Sequence, residues 1–124
     1  MYEHQKLTER VIGLAIDVNR TVGLGLLESV YTACLCRELQ RADIAFQREV
    51  AIPAVYRGET IPLGFRTDIV VADTVILEIK AVAGITPTHE AQILTSLRMS
   101  HIRIGLLMNV HAIRLLDGLR RFVV

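Results

Sequence analysis

The chain has no tryptophan, and aromatic side chains make up only 5% of it. A core built without aromatics must be filled by aliphatic residues, and 52% of the chain is apolar. There are only two cysteines, Cys34 and Cys36. At positions i and i+2 of a helix they point roughly 200° apart, which excludes both a mutual disulfide and a zinc clamp and makes them reduced, structural thiols. No apolar run approaches the ~20 residues of a membrane span. The start Met1-Tyr2-Glu3-His4-Gln5-Lys6 is polar and mixed in charge, unlike a signal peptide. A cytoplasmic protein with no membrane partner is expected. The net charge is +1, too small for a strongly basic nucleic-acid binder, so such affinity must come from local patches. Arg98, Arg103, Arg114, Arg120 and Arg121 are the candidates for one. No Walker-type lysine follows the glycines at 23, 25 and 58, which argues against nucleotide hydrolysis. His4, His101 and His111 lack the spacing of a zinc site.

What is present fits one domain over residues 1–124, long enough to bury a core without staples. Part of the apolar excess is available to cover a homodimer interface. Leu7, Val11, Leu14, Ala15 and Val18 recur at helical spacing and predict an amphipathic helix from about Glu3 to Arg20, broken at Gly23 and Gly25. A second helix is expected from about Leu26 to Arg41. Strands follow at Phe46 to Tyr56 and Thr60 to Val71, joined by Arg57-Gly58-Glu59. Thr86 or Thr88 as cap, Pro87 and Glu90 mark a third helix ending near Ser100. Ile102 to Val110 reads as a buried strand, and Ile113 to Val124 as a short edge strand or hairpin containing Asp117-Gly118. The fold class is α/β: an antiparallel meander plus a further strand form a mixed sheet flanked by helices, in the order αα-βββ-α-β.

Phe65 to Val71 and Val75 to Val82 are rich in β-branched residues and are separated by Ala72-Asp73-Thr74, the pattern of a hairpin. A turn centred on Asp73 sets Val70 opposite Ile76 and Asp68 opposite Glu78, so two carboxylates become neighbours. Strand alternation puts Lys80 on the face of Glu78 and sends Ile79 to the other face with Val75 and Leu77. Carboxylate oxygens suit hard cations such as Mg²⁺ or Mn²⁺, and an adjacent ammonium can orient water or balance developing negative charge. The same register sets Arg66 against Lys80, a like-charge contact that an anion or Glu78 would relieve. The bland alternative is a solvent-facing hairpin with ordinary surface pairs, worth roughly 0–1 kcal/mol each. Against it, Val75-Ile76-Leu77 is apolar on both faces, so its charges lie in a strand covered on both sides.

Gly25-Leu26-Leu27-Glu28-Ser29-Val30-Tyr31 reproduces a G-x-x-E-x-x-Y signature and resembles the bacterial GxxExxY proteins of the PD-(D/E)XK nuclease superfamily. The resemblance continues in order through Gly64-Phe65-Arg66-Thr67-Asp68, Glu78-Ile79-Lys80, Thr86-Pro87-Thr88-His89-Glu90-Ala91-Gln92 and Gly105-Leu106-Leu107-Met108-Asn109. It implies a restriction-endonuclease-like fold, with Asp68 and Glu78 as metal ligands, Lys80 as the catalytic lysine and Glu28 as an additional acid and ligand. Gln92 is similar to the glutamine of a Q-x-x-x-Y helix, but Ser96 stands where the aromatic would be, which puts DNA positioning in doubt. Arg66, His89 and Tyr31 are further candidates for substrate contact. The blander roles are local capping for His89 and a core position with a satisfied hydroxyl for Tyr31.

The function so implied is a Mg²⁺- or Mn²⁺-dependent nuclease-like phosphodiesterase acting on nucleic acid, DNA first. The alternative is a catalytically silent module on the same fold that binds nucleic acid or protein. A third possibility is a homodimer whose acidic site serves a small phosphorylated molecule.

Overall fold

The computed structural model describes residues 4–124. Two helices, α1 (Gln5–Val22) and α2 (Glu28–Arg41), precede strands β1 (Phe46–Tyr56), β2 (Glu59–Val71) and β3 (Val75–Lys80). Helix α3 (Pro87–Ser100) crosses over to β4 (Ile104–Asn109), and a 3₁₀ turn at Leu115–Gly118 leads into β5 (Leu119–Val123). The sheet order is β1-β2-β3-β4-β5; β3 and β4 run parallel and every other neighbouring pair is antiparallel. This is the mixed α/β architecture expected from the sequence.

The helical stripe of α1 buries Val11, Ala15 and Val18. Gly23, at φ 73°, ends the helix in the left-handed region that glycine tolerates. The start predicted at Glu3 lies outside the described residues. Tyr31 of α2 is buried and donates its hydroxyl to Ala15 O at 2.7 Å, locking α2 to α1. One core, formed by these helices with Ile69, Val71, Val75, Leu77 and Ile79, covers one face of the sheet. A second core, of Ile93 and Leu97 from α3 with Val70, Ile76 and Leu107, covers the other. Val75, Ile76 and Leu77 are therefore all fully buried, as their two-sided apolar pattern required.

Several boundaries differ from the sequence pattern, α2 and β4 each starting two residues later than expected, at Glu28 and Ile104. β3 stops at Lys80 and not at Val82, because the Val82 N–H and carbonyl are taken by the Asn109 side chain, at 3.2 and 2.9 Å, and not by a strand. The β1–β2 connection is only Arg57-Gly58, with Tyr56 paired to Glu59. Both turn residues have positive φ, 48° and 79°, the two-residue turn whose twist matches a hairpin. The last segment is an edge strand, β5, entered through the 3₁₀ turn at Asp117-Gly118.

Tyr31→Phe removes one buried hydrogen bond and leaves the Ala15 carbonyl without this partner. Urea unfolding should show a loss of about 1 kcal/mol, against roughly 3–5 kcal/mol for Tyr31→Ala, which also opens a cavity.

Candidate active site

The β2–β3 hairpin pairs Val71 with Val75, Val70 with Ile76 and Ile69 with Leu77, the register predicted from a turn at Asp73. Pairing then stops, one step before the expected Asp68–Glu78 pair. At that point the Asp68 carboxylate accepts the Ile79 N–H at 2.7 Å. A side chain thus replaces a strand carbonyl, and the strands part around the acid. Arg66 and Lys80 are consequently not ladder partners. Arg66 turns instead to β1, donating to Glu49 O at 3.2 Å, with the Glu49 carboxylate 4.0 Å away.

The N-terminus of α2 delivers Glu28 to the same place. Its carboxylate feels both Asp68 and Lys80, and the Ala81 backbone N–H favours its charged form. Asp68 and Glu28 line an open cleft of about 380 Å³ with Leu27, Ser29, Thr32, Arg48 and Glu49. Glu78 and Lys80 are half-buried and do not line it; they stand beside it, within electrostatic reach of Asp68.

All three acids hold their protons more tightly than usual. For Asp68 the main cause is burial, offset by the Ile79 N–H and by Lys80, while Glu49 adds to the rise. Glu28 is raised by burial and then by Asp68. Glu78 is pushed up to about 7, first by burial and then by Asp68, with Glu28 a smaller contributor and Lys80 opposing. The Thr67 hydroxyl is fully buried near Glu78; it closes no hydrogen bond of standard geometry but still favours the charged carboxylate.

Three carboxyls raised chiefly by burial, two of them also by Asp68, offer oxygen donors that gain from a hard cation. Among the described residues no three His, Cys, Asp or Glu side chains gather closely enough to cage an ion by themselves. A Mg²⁺-type ion needs no cage, since one or two carboxylates with waters and phosphate oxygens complete its shell. Asp68 and Glu78 fit that role, with Glu28 as a third acid.

The other sequence candidates fall elsewhere. The Tyr31 hydroxyl is spent on Ala15 in the core, away from the cleft. His89 completes a capping box: its Nδ1 accepts the Thr86 N–H at 3.0 Å, and Thr86 Oγ1 accepts the His89 N–H at 3.3 Å. Gln92 is exposed on α3 and does not line the cleft, and Ser96 is buried. Three residues matter that the sequence gives no role: Asn109, which enters there only as part of the family resemblance, and Arg48 and Glu49, which no pattern singles out. Asn109 bonds Val82 on both sides, while the Val110 N–H donates to Lys80 O at 2.8 Å, so the end of β3 bearing Lys80 is fixed from β4. Arg48 and Glu49 reach the cleft from β1. Of the proposed basic patch, Arg103, Arg120 and Arg121 bond to Val124 O, to Asp117 O and Leu119 O, and to Thr8 Oγ1.

A family model of the PD-(D/E)XK nuclease superfamily matches residues 5–122, and the chain belongs to that superfamily. Membership supports a nuclease-like function with nucleic acid as substrate, and nucleases of this superfamily generally use divalent metal ions. No curated protein and no solved structure matches the chain.

A carboxyl raised in the fold above its ordinary 4.5 binds more protons folded than unfolded. Its stabilising contribution is full below about pH 4.5 and is lost as pH rises through about 7. In metal-free protein, thermal melts should show stability falling across that window, a slope that Glu78→Gln flattens and that added Mg²⁺ offsets.

Proposed function

We propose that the chain is a Mg²⁺- or Mn²⁺-dependent phosphodiesterase acting on nucleic acid, DNA first, and that it is a GxxExxY-type member working in the cytoplasm as a single domain over residues 1–124. The observation that carries this is the parting of β2 and β3 at Asp68, which sets Glu78, Lys80 and Glu28 around one acid beside an open cleft. Among the described residues no helix is long and apolar enough to cross a membrane.

Asp68 and Glu78 would hold the metal, with Glu28 adding a third carboxylate. Such an ion polarises a phosphoryl oxygen and lowers the pKa of water. The protein's own part is orientation and charge. The Ile79 N–H fixes the Asp68 carboxylate at one oxygen. Lys80, on the strand end pinned from β4, orients the attacking water and balances negative charge as the phosphorane develops. Arg48, which lines the cleft, and Arg66, which bonds to Glu49 of that lining, are exposed and would meet the flanking phosphates. Gln92 and His89 on α3 are outside the cleft lining and would meet only nucleic acid that extends beyond it. A homodimer, proposed independently of the catalytic reading, would cover part of the exposed apolar surface, Leu63 and Tyr56 among it.

Labelled single- and double-stranded DNA and RNA incubated with Mg²⁺, Mn²⁺ or EDTA should show metal-dependent cutting. Lys80→Ala should lower turnover by roughly 10²-fold or more while leaving metal affinity nearly unchanged. Asp68→Ala should weaken Mn²⁺ binding itself, measured by calorimetry. If neither native protein nor variants cut any substrate while nucleic acid is still retained in a filter assay, the silent binding module is the better account.

A further inference from the structure

β3 pairs only with the last residues of β2, Ile69 to Val71, so the rest of the β1–β2 hairpin extends past it as a two-stranded arm. Residues directly opposite each other in a ladder share a face. Ile52 and Phe65 are opposed and join the core under α3. Along the same face follow half-buried Ala54 with Ile61 and then Tyr56 with Glu59, and both Ile61 and Tyr56 are exposed. Tyr56 is 62% exposed and Leu63 86%.

Leu63 is displayed by a built irregularity. Between the pairs Ile52–Phe65 and Ala54–Ile61, three residues of β2, Pro62 to Gly64, stand against Pro53 alone. A side chain on Gly64 would run into Ile52 O and Ala54 N, so the bulge requires glycine. The tip is preorganised by its two left-handed residues and by the Arg57 guanidinium, 5.5 Å from the centre of the Tyr56 ring.

From Val50 to Phe65 the only charges are Arg57 and Glu59. A neutral arm has no net attraction for phosphate, which sets nucleic acid aside. One cation and one anion flanking Gly58 are self-complementary: a two-fold axis brings each to its opposite on an identical arm. We infer that the arm is the surface through which a second copy of this chain docks, Leu63 and Tyr56 burying one another's apolar face while Arg57 of each meets Glu59 of the other. The arm is rigid before contact, so little ordering cost attends docking.

The test is the oligomeric state of the full chain by light scattering and sedimentation, which is read without any cleavage assay and so stands or falls separately from the nuclease proposal. The native chain is expected to dimerise with concentration, and Leu63→Glu to be monomeric and to melt as the native chain does at dilutions where it too is monomeric, since Leu63 leaves the core intact. Arg57→Glu and Glu59→Arg should each weaken association by about tenfold, and the double reversal should restore it. A native chain that stays monomeric overturns the inference, and if it then binds neutral phosphatidylcholine vesicles the arm serves a membrane surface instead. Dimerisation unaffected by Leu63→Glu, or single reversals that the double variant fails to rescue, overturns it equally.

Discussion

The site depends on the burial of β3 on both faces. Val75, Ile76, Leu77 and Ile79 leave no room for slippage, because a shift of one residue would drive Glu78 into one core and expose Ile79. With register so fixed, the strand cannot drift to relieve the crowding of Asp68, Glu78 and Glu28. The acids are held together by the apolar energy of their neighbours, at the cost of raised proton affinity. Hydrophobic packing fixes the register, and the buried carboxyls answer with raised proton affinity.

Two elements outside the hairpin complete the arrangement. The Tyr31 lock indexes α2 against α1 and thereby sets how far Glu28 reaches. The Asn109 clamp stops β3 after Lys80. Both are single polar side chains spent on backbone groups, and both act through position and not through contact with substrate.

Much of this was legible in the chain. Period-2 alternation and a turn at Asp73 gave the register of Val70 and Ile76, and the continuous apolar run of β3 gave its two-sided cover. Both Glu78 and Lys80 are half-buried within electrostatic reach of Asp68, though Asp68 and Glu78 are not ladder partners. What alternation could not show was that the ladder ends at Ile69, because a carboxylate competing for a strand N–H is a local exchange with no periodic signature. The Asp68–Glu78 pair and the Arg66–Lys80 clash were both products of extending an ideal ladder too far. His89 and Tyr31 were ambiguous for another reason: polar side chains that satisfy backbone groups have the same residue types as those that bind ligands.

The Asn109 clamp has a consequence for the order in which the candidate site is assembled. Its partner at Val82 is 27 residues away in sequence, and the intervening crossover must close before the two strands can lie side by side. The β2–β3 hairpin is local and can form early, carrying Asp68 and Glu78 into proximity. Lys80 acquires its fixed place only when the parallel strand docks, a non-local step that costs more chain entropy than closing the hairpin. A partly folded chain in which β4 has not docked therefore holds the hairpin's acids without a fixed lysine beside them.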